Sequence, residues 1–261
     1  EIGRVLALEV SADGSRATYT AENDYTGIID LFSVATDGSE NAIRMHAPLS
    51  FGSKALDSAF SPDGTRVAFR LVRNSSENIG LYCATSDAGG SAIRLDDDAS
   101  FRSVSRYAFL PDSSAVVFSA TSTLPFTEEL FLVPRDASSS PVRLHPPHSQ
   151  RESVTDFKVS ADGAWIVYTR STPTAFQLYS VPLDGHQPAQ RLNSGGSLGG
   201  GGNGSSHEYA WRITPDESRV VYLADQDTDD VCELYVVPID GSQAPLKLNA
   251  PLVAGGDVSA R

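Results

Sequence analysis

The phrase Ser-Pro-Asp-Gly at residues 61–64, followed by a run of apolar residues, has close variants at four other places along the 261-residue chain. A period near 50 residues is the sequence signature of a repeat architecture, in which every repeat is one supersecondary unit. The repeat therefore constrains the fold more than any other feature of the sequence. Aligned on the Asp of the turn, the copies lie 50, 49, 50 and 54 residues apart, and we name these residues the turn aspartates: Asp13, Asp63, Asp112, Asp162 and Asp216.

Each repeat places its other marked residues at fixed distances from the turn aspartate. A second aromatic preceded by Leu, a second Asp in a hairpin turn and a basic residue follow in the same order in every copy. Short apolar runs bounded by such turns predict four strands per repeat. The first aromatic closes the second of these strands six residues after the turn aspartate, at Tyr19, Phe69, Phe118, Tyr168 and Tyr222.

Five such units in tandem predict an all-β fold, a β-propeller of five four-stranded antiparallel blades. We expect residues 1–261 to form a single propeller domain. The turn phrase supplies Pro to preset φ, Asp to accept backbone N–H groups, and Gly for the left-handed conformation. Where Gly is replaced, at Ser113 and Glu217, the same turn would cost about 1 kcal/mol of strain. The repeats span approximately 5–54, 55–104, 105–153, 154–206 and 207–255.

The pattern FSPDGTRVAF, followed by LY, DG and RL, resembles the WD-like propeller repeat of the TolB family. The same repeat is found in the propellers of prolyl oligopeptidase-type enzymes, and the resemblance covers residues 5 to 250. It implies a propeller that closes with six to eight blades and an extracytoplasmic location, periplasmic or secreted. Because one fold supports many functions, the resemblance leaves the function open.

The two ends of the sequence bear on whether the ring is complete. The tail PLVAGGDVSAR lies where another repeat would begin its first strand, and the opening EIGRVLALEV already fills that place for the first repeat. A closed ring of five blades would not need both segments. We therefore expect a piece of a longer propeller, or a ring whose missing blades a neighbour covers.

Charge and composition narrow the class of partner. The formal net charge is −13 and the isoelectric point is near 4.7, which argues against nucleic acid or an anionic membrane surface. No apolar run approaches the roughly 18 residues of a membrane span. Cys83 and Cys232 are too few for a disulfide framework and are expected to be buried free thiols.

The segment NSGGSLGGGGNGSSHE, residues 193–208, lies between the fourth and fifth repeats, where the spacing of the turn aspartates is longest. It is expected to be a flexible surface loop. Within it Gly195, Ser197 and Gly199 match the GxSxG nucleophile elbow of serine hydrolases. That motif requires a strand before the Ser and a helix after it, and the sequence predicts neither. We therefore interpret the match as coincidental and assign no catalytic residue.

The loop between the second and third strands of the fifth repeat is rich in carboxylates. Asp225, Asp227, Asp229 and Glu233 occupy positions 1, 3, 5 and 9 of the stretch DQDTDDVCE. Alternating oxygen ligands suit Ca²⁺, with the carbonyl of Val231 as a further ligand. The stretch resembles the DxDxDG hairpins of integrin-type propellers, with Asp in place of Gly. The alternative is an acidic, solvated hairpin, because position 12 has no bidentate Glu.

Two histidines, His46 and His145, follow the basic residue at the same position of different repeats. They are therefore expected at separate strand ends rather than around a shared metal ion.

These observations together favour a non-catalytic binding or scaffold module, with a protein or small-ligand partner. An accessory propeller of a prolyl oligopeptidase-type hydrolase, with its catalytic domain outside this chain, and a metal-dependent propeller lyase or phosphatase are the alternatives. The lyase would need His or carboxylate groups on the first strands, whose residues are chiefly apolar.

Overall fold

The computed structural model describes the chain except residues 1–3, 24, 74–78, 97–100, 122–126, 147–150, 186, 200–209, 254 and 259–261. The described residues form twenty β-strands and no helix, which confirms the all-β prediction. Accordingly, this part of the chain has no helix with the length and hydropathy to cross a membrane. The chain divides into two compact units, Glu1–Pro125 with Leu130–Arg143 and Phe126–Glu129 with Leu144–Arg261.

The first twelve strands belong to one sheet, in which the short fourth and eighth strands each pair only with the strand before them. Pairing is antiparallel inside each successive group of four strands, whereas consecutive groups meet through single parallel pairs, Ile29 with Lys54 and Ile79 with Ser103. The strands are β1 (Arg4–Val10), β2 (Arg16–Glu22), β3 (Ile29–Ala35), β4 (Ile43–Arg44), β5 (Lys54–Phe60), β6 (Arg66–Val72), β7 (Ile79–Thr85), β8 (Ile93–Arg94), β9 (Ser103–Phe109), β10 (Ala115–Thr121), β11 (Glu128–Pro134) and β12 (Val142–Arg143).

The remaining eight strands form two four-stranded antiparallel sheets, β13 to β16 and β17 to β20. Their fourth strands are only two residues long, as in the first sheet. The strands are β13 (Ser153–Val159), β14 (Trp165–Ser171), β15 (Phe176–Pro182), β16 (Gln190–Arg191), β17 (Trp211–Ile213), β18 (Arg219–Thr228), β19 (Val231–Pro238) and β20 (Leu246–Lys247).

The turn aspartates do what the sequence pattern predicts. Asp63 accepts hydrogen bonds from the Ser61 hydroxyl at 2.6 Å and the Thr65 N–H at 3.0 Å. Ser113 and Glu217, which replace the turn Gly, have φ angles of 63° and 58°. The turn is thus kept where Gly is absent, and its left-handed residue carries the expected strain.

The aromatic residues six positions after the turn aspartates supply much of the core. Four of the five are buried, at 0–1% exposure, and Tyr19 is half-buried. The prediction of buried second strands is therefore confirmed for these four rings: Phe69, Phe118, Tyr168 and Tyr222.

The first strands of the repeats share an irregularity that matters for the site. Their register on the second strand shifts by one residue, for example between Ala55 and Asp57 and between Val154 and Asp156. One residue is therefore left unpaired in each bulge. The bulge residue is Leu6, Leu56, Ser105 or Thr155 in the first four repeats.

Candidate functional site

The acidic stretch of the fifth repeat forms a bulged hairpin. Strands β18 and β19 pair at Ala224 with Glu233 and again at Thr228 with Val231, so three residues on β18 face a single residue on β19. The turn between them consists of Asp229 and Asp230. Asp230, which stands where the integrin-type hairpins have Gly, has φ 59°, so the sharp turn is made without glycine at the cost of local strain.

A lysine is the partner of two predicted calcium ligands. The Lys247 ammonium lies 2.7 Å from the Asp227 carboxylate and 2.8 Å from the Glu233 carboxylate. These contacts lower the pKa of both carboxyl groups and raise the pKa of Lys247. The Tyr235 hydroxyl also donates to Glu233 at 3.1 Å. Asp227 and Glu233 thus already have a cationic partner, which a bound metal ion would have to replace.

The other acidic residues of the hairpin group differently from the sequence prediction. Asp225, Asp229 and Asp230 each offer a carboxylate oxygen, and these three oxygens lie within 4.8 Å of one another. Asp225 is buried and also accepts a hydrogen bond from the Ser197 N–H. Val231 pairs across the hairpin with Thr228. Calcium binding at this hairpin stays a prediction, with Asp230 as an additional candidate ligand that the spacing did not single out.

Ser197 lies next to Leu198, which forms an isolated β-bridge, and not on a nucleophile elbow between a strand and a helix. Its Oγ accepts a hydrogen bond from the Phe176 N–H at 3.0 Å, and the N–H of Leu198 donates to the Phe176 carbonyl at 3.0 Å. Leu198 pairs with Ala224 and is 1% exposed. Backbone hydrogen bonds and burial thus hold Ser197 and Leu198 in place, whereas Ser194 and Gly196 are exposed. The flexible loop expected over residues 193–208 stays a prediction, and residues 200–208 lie outside the described residues.

Comparison with the preceding repeat explains this position. In the fourth repeat Ser153 Oγ accepts from the Glu128 N–H at 3.0 Å, and the next residue, Val154, is 1% exposed. Ser197 and Leu198 repeat this Ser–apolar pair. Leu198 pairs with Ala224 of β18 as Val154 pairs with Arg170 of β14, and the Gly-rich stretch follows Leu198 in the sequence. The recurring Ser–apolar pair is the signal that could have located this pairing.

Gly196, next to Ser197, is required because the backbone of Asp225 packs closely against it. It has φ 54°, and a Cβ built there would lie 2.7 Å from the backbone carbonyl oxygen of Asp225. No side chain fits without moving the backbone. The Gly195–Ser197–Gly199 match therefore reflects a tight strand junction, which is a structural rather than a chemical reason for its small residues.

A polar cluster on β5, β6 and β9 was missed by the sequence analysis. The Arg70 guanidinium forms an ion pair with the Asp57 carboxylate and also donates to the Val104 and Ser105 carbonyls. The Tyr107 hydroxyl donates to Asp57 at 3.3 Å. Burial, and after it the Asp57 charge, raises the pKa of Tyr107. Asp57 itself keeps 42% of its side chain exposed, so this cluster presents a carboxylate to solvent on a fixed support.

The two histidines are both buried and lie in separate units. His46 Nε2 accepts the Leu31 N–H at 3.0 Å, and burial lowers the pKa of this imidazole. Asp96 and Asn193 occupy the same repeat position and accept the N–H of Leu81 and of Leu178. The position therefore satisfies a backbone donor of the third strand. His145 is likewise buried, and its Nδ1 lies 2.7 Å from the Pro146 carbonyl oxygen.

Both cysteines are free and buried, as the sequence analysis expected. Burial raises the pKa of each thiol to about 11. The thiolate, which is the reactive form, is therefore scarce at neutral pH. Cys83 and Cys232 act as small apolar side chains.

Comparison with known proteins identifies relatives by structure alone. No protein-family model and no curated protein matches the chain. The solved structures with a similar fold include a structure from a study of two prolyl endopeptidases (TM-score 0.63, 14% identity, 95% of this chain). They also include an oligogalacturonate lyase in complex with manganese (0.60, 16%, 92%) and a putative TolB from Agrobacterium tumefaciens (0.50, 17%, 94%).

These likenesses establish the fold and leave function to the site. The chain spans 37% of the length of the prolyl endopeptidase, 64% of the lyase and 80% of the TolB structure. At this level of identity a shared fold carries no shared chemistry. The neighbours support a propeller-type fold, in agreement with the repeat pattern.

Proposed function

We propose that this chain is a non-catalytic binding or scaffold module, a β-propeller of five four-stranded blades over residues 1–261. Its ligand is a protein or a small molecule, and its location is periplasmic or secreted. The proposal is supported by the 50-residue period and by the propeller-type neighbours. No nucleic-acid partner is proposed, since the net charge is −13.

The observation that carries a binding role is the cluster of Asp57, Arg70 and Tyr107. Its three side chains come from β5, β6 and β9, so they tie two successive four-stranded groups together. Arg70 is held by backbone carbonyls as well as by Asp57, which fixes the carboxylate before a ligand arrives. A preorganised and partly exposed charge costs little to order on binding.

A comparison of binding by matched variants tests this role. Peptide and extracytoplasmic protein libraries are screened with the immobilised wild type, and any captured ligand is titrated calorimetrically. We expect Asp57→Asn to weaken binding, with Asp37→Asn, an exposed turn carboxylate, as the control. A ligand that binds wild type and Asp57→Asn equally, or the absence of any saturable ligand, contradicts the proposal.

The alternative is an accessory propeller that gates or positions a linked hydrolase. The observation that favours it is the match of 95% of this chain to 37% of a prolyl endopeptidase structure. A gene product that continues into an α/β pattern, with a nucleophile elbow between a strand and a helix, would decide for it. In that case a serine-hydrolase probe labels the longer protein and leaves the 261-residue chain unlabelled.

The acidic hairpin is proposed as a weak, structural Ca²⁺ site. Its candidate ligands are Asp225, Asp227, Asp229, Glu233 and the carbonyl of Val231. The crowding of carboxylates supports this proposal, because a divalent cation relieves their repulsion. The contacts of Lys247 with Asp227 and Glu233 oppose it, which makes that lysine the informative residue for the test.

A further inference from the structure

A cavity of ≈ 530 Å³ opens beside strand β4 and the residues that follow β7. Its volume falls within the range of small-molecule sites, about 300–1,000 Å³. The side chains of Arg44, His46, Arg73 and Tyr82 line it, and residues 88–92 complete the wall. Among these lining residues there are two guanidinium groups and no carboxylate. The cavity is therefore locally basic on a chain whose net charge is −13.

The imidazole in the cavity wall is neutral and fully used by the fold. His46 Nε2 accepts the Leu31 N–H at 3.0 Å, so the ring proton lies on Nδ1, which donates to the Ala47 carbonyl at 2.9 Å. Burial lowers the pKa of His46, the Ala47 carbonyl and the Asp30 charge raise it, and the charges of Arg44 and Arg73 lower it. Both guanidinium groups are thus close enough to act on the same ring. Recognition of a ligand falls to the two arginines.

The second repeat shows how an arginine at this place is normally neutralised. There Asp96 occupies the position of His46, and Arg94 donates to its carboxylate at 3.1 and 2.8 Å. In the first repeat the histidine supplies no negative charge. Arg44 contacts Asp30 at 3.2 Å instead and keeps 41% of its side chain exposed.

The second arginine is positioned by an aromatic ring. The Arg73 guanidinium carbon lies 5.4 Å from the centroid of the Tyr82 ring, and Tyr82 is 6% exposed. A guanidinium over an aromatic ring is held by the cation–π attraction. Arg73 is thus kept at the cavity while it stays exposed to solvent and to an entering ligand.

We propose that this cavity binds a small anion that carries a carboxylate or a phosphate group, through Arg44 and Arg73. The planar guanidinium donates two parallel N–H bonds to either group, and these charge-assisted bonds are short and strong. The site is separate from the Asp57 cluster, so its success or failure is independent of the proposed binding function. The local charge of the cavity lining, which has two guanidinium groups and no carboxylate, thus differs in sign from the net charge of the whole chain.

Isothermal titration of the wild-type chain with inorganic phosphate and with succinate, at matched ionic strength, tests the site. We expect saturable binding of at least one of the two anions with a dissociation constant of about 1 mM or below. The two titrations distinguish a phosphate-selective from a carboxylate-selective site. Arg44→Gln and Arg73→Gln are each expected to weaken binding about tenfold or more, whereas Arg44→Lys keeps part of it.

Arg135→Gln is the matched control, since it removes the same charge outside the cavity, where Arg135 pairs with Asp63. Binding by this variant is expected to equal that of the wild type. Circular dichroism of each variant separates lost binding from lost folding, and the charge-retaining Arg44→Lys covers a Gln variant that fails to fold. The proposal is overturned if neither anion binds, or if the Arg135 variant weakens binding as much as the Arg44 variant.

Discussion

Within each repeat an aromatic residue of the second strand stacks on an aromatic residue of the third. Phe69 lies directly opposite Tyr82, with ring centroids 5.9 Å apart and planes inclined by 18°. Four other pairs repeat this geometry, at centroid distances of 5.3–5.6 Å. Offset stacking adds about 0.5–1.5 kcal/mol to the burial of each pair. The fixed spacing of aromatics in the sequence is thus the trace of a contact made inside every repeat.

Phe69→Ala is expected to lower the free energy of unfolding by about 3–5 kcal/mol, the usual cost of removing a fully buried aromatic side chain. Phe69 is 0% exposed. Urea titration followed by circular dichroism measures the change. Tyr25→Ala, at a residue 84% exposed, is the control and should change stability by less than about 0.5 kcal/mol. Equal effects of the two substitutions would contradict the burial argument.

Ser197→Ala is expected to destabilise the chain by about 1–3 kcal/mol, because the Phe176 N–H loses its acceptor in a half-buried place. Reaction with a fluorophosphonate probe should be absent in both wild type and variant. The exposed neighbour Ser194 gives the control, Ser194→Ala. If the wild type is labelled and Ser197→Ala is not, Ser197 is a nucleophile and the structural interpretation is wrong.

At the scale of the strand and hairpin, the sequence predicted the regular parts better than the irregular ones. Turn phrases and apolar runs recur with a period, so the turns at Ser113 and Glu217 could be placed without glycine. The sequence placed the fifth repeat's first strand where β17 begins at Trp211, but it did not predict the pairing of Leu198 with Ala224, because Leu198 lies before the Gly-rich stretch. When the repeats are aligned on the turn aspartates, this region shows only as a longer spacing between Asp162 and Asp216.

The candidate site was predicted incompletely for a related reason. The spacing of Asp227 and Glu233 in the sequence predicted two ligands of one calcium ion. The bulge between Ala224 and Thr228, however, shifts the register in which β18 pairs with β19. Lys247 reaches both carboxylates because β20 pairs with β19 at Tyr235. Such cross-strand contacts depend on register and bulges, which local spacing does not determine. The Asp57–Arg70–Tyr107 cluster joins three strands and has no local signature either.

Calcium is expected to raise the melting temperature of Lys247→Met more than that of the wild type. The substitution removes the ammonium from Asp227 and Glu233 and leaves their charges for the metal. At a calcium concentration one hundred times the dissociation constant, linkage gives about 2.7 kcal/mol. Melts with calcium and with chelator measure the difference, and Lys54→Met is the control for lost charge. If calcium shifts neither protein, the hairpin is a solvated acidic turn.

At the scale of the whole molecule, the repeated turns couple folding to pH. Hydrogen bonds from neighbouring hydroxyl and N–H groups, Ser11 and Thr214 foremost, lower the pKa of Asp13 and Asp216 to about 2. The pKa values of Asp63, Asp112 and Asp162 are also lowered. A carboxyl group in the unfolded chain titrates near about 3.9. The unfolded chain therefore binds protons first as the pH falls.

It follows that the turn aspartates stabilise the fold above about pH 4 and that this stabilisation is lost as the pH falls from about 4 to about 2. The double variant Asp13→Asn, Asp216→Asn should be less stable than wild type at pH 7 and should lose less stability over that acidic interval. Urea midpoints at pH 7, 4, 3 and about 2 measure it. Parallel curves for the two proteins would contradict the turn argument.

The central claim is that one four-stranded unit, repeated every 50 residues or so, builds the molecule along its length. Hydrogen–deuterium exchange with mass spectrometry tests it most directly, because paired amides of packed strands exchange slowly. The account predicts five protected stretches at the second and third strands of the repeats, β2–β3, β6–β7, β10–β11, β14–β15 and β18–β19. It also predicts protection of the Leu198 amide, which donates to Phe176. A repeat whose second and third strands exchange as fast as the exposed turns would contradict the claim.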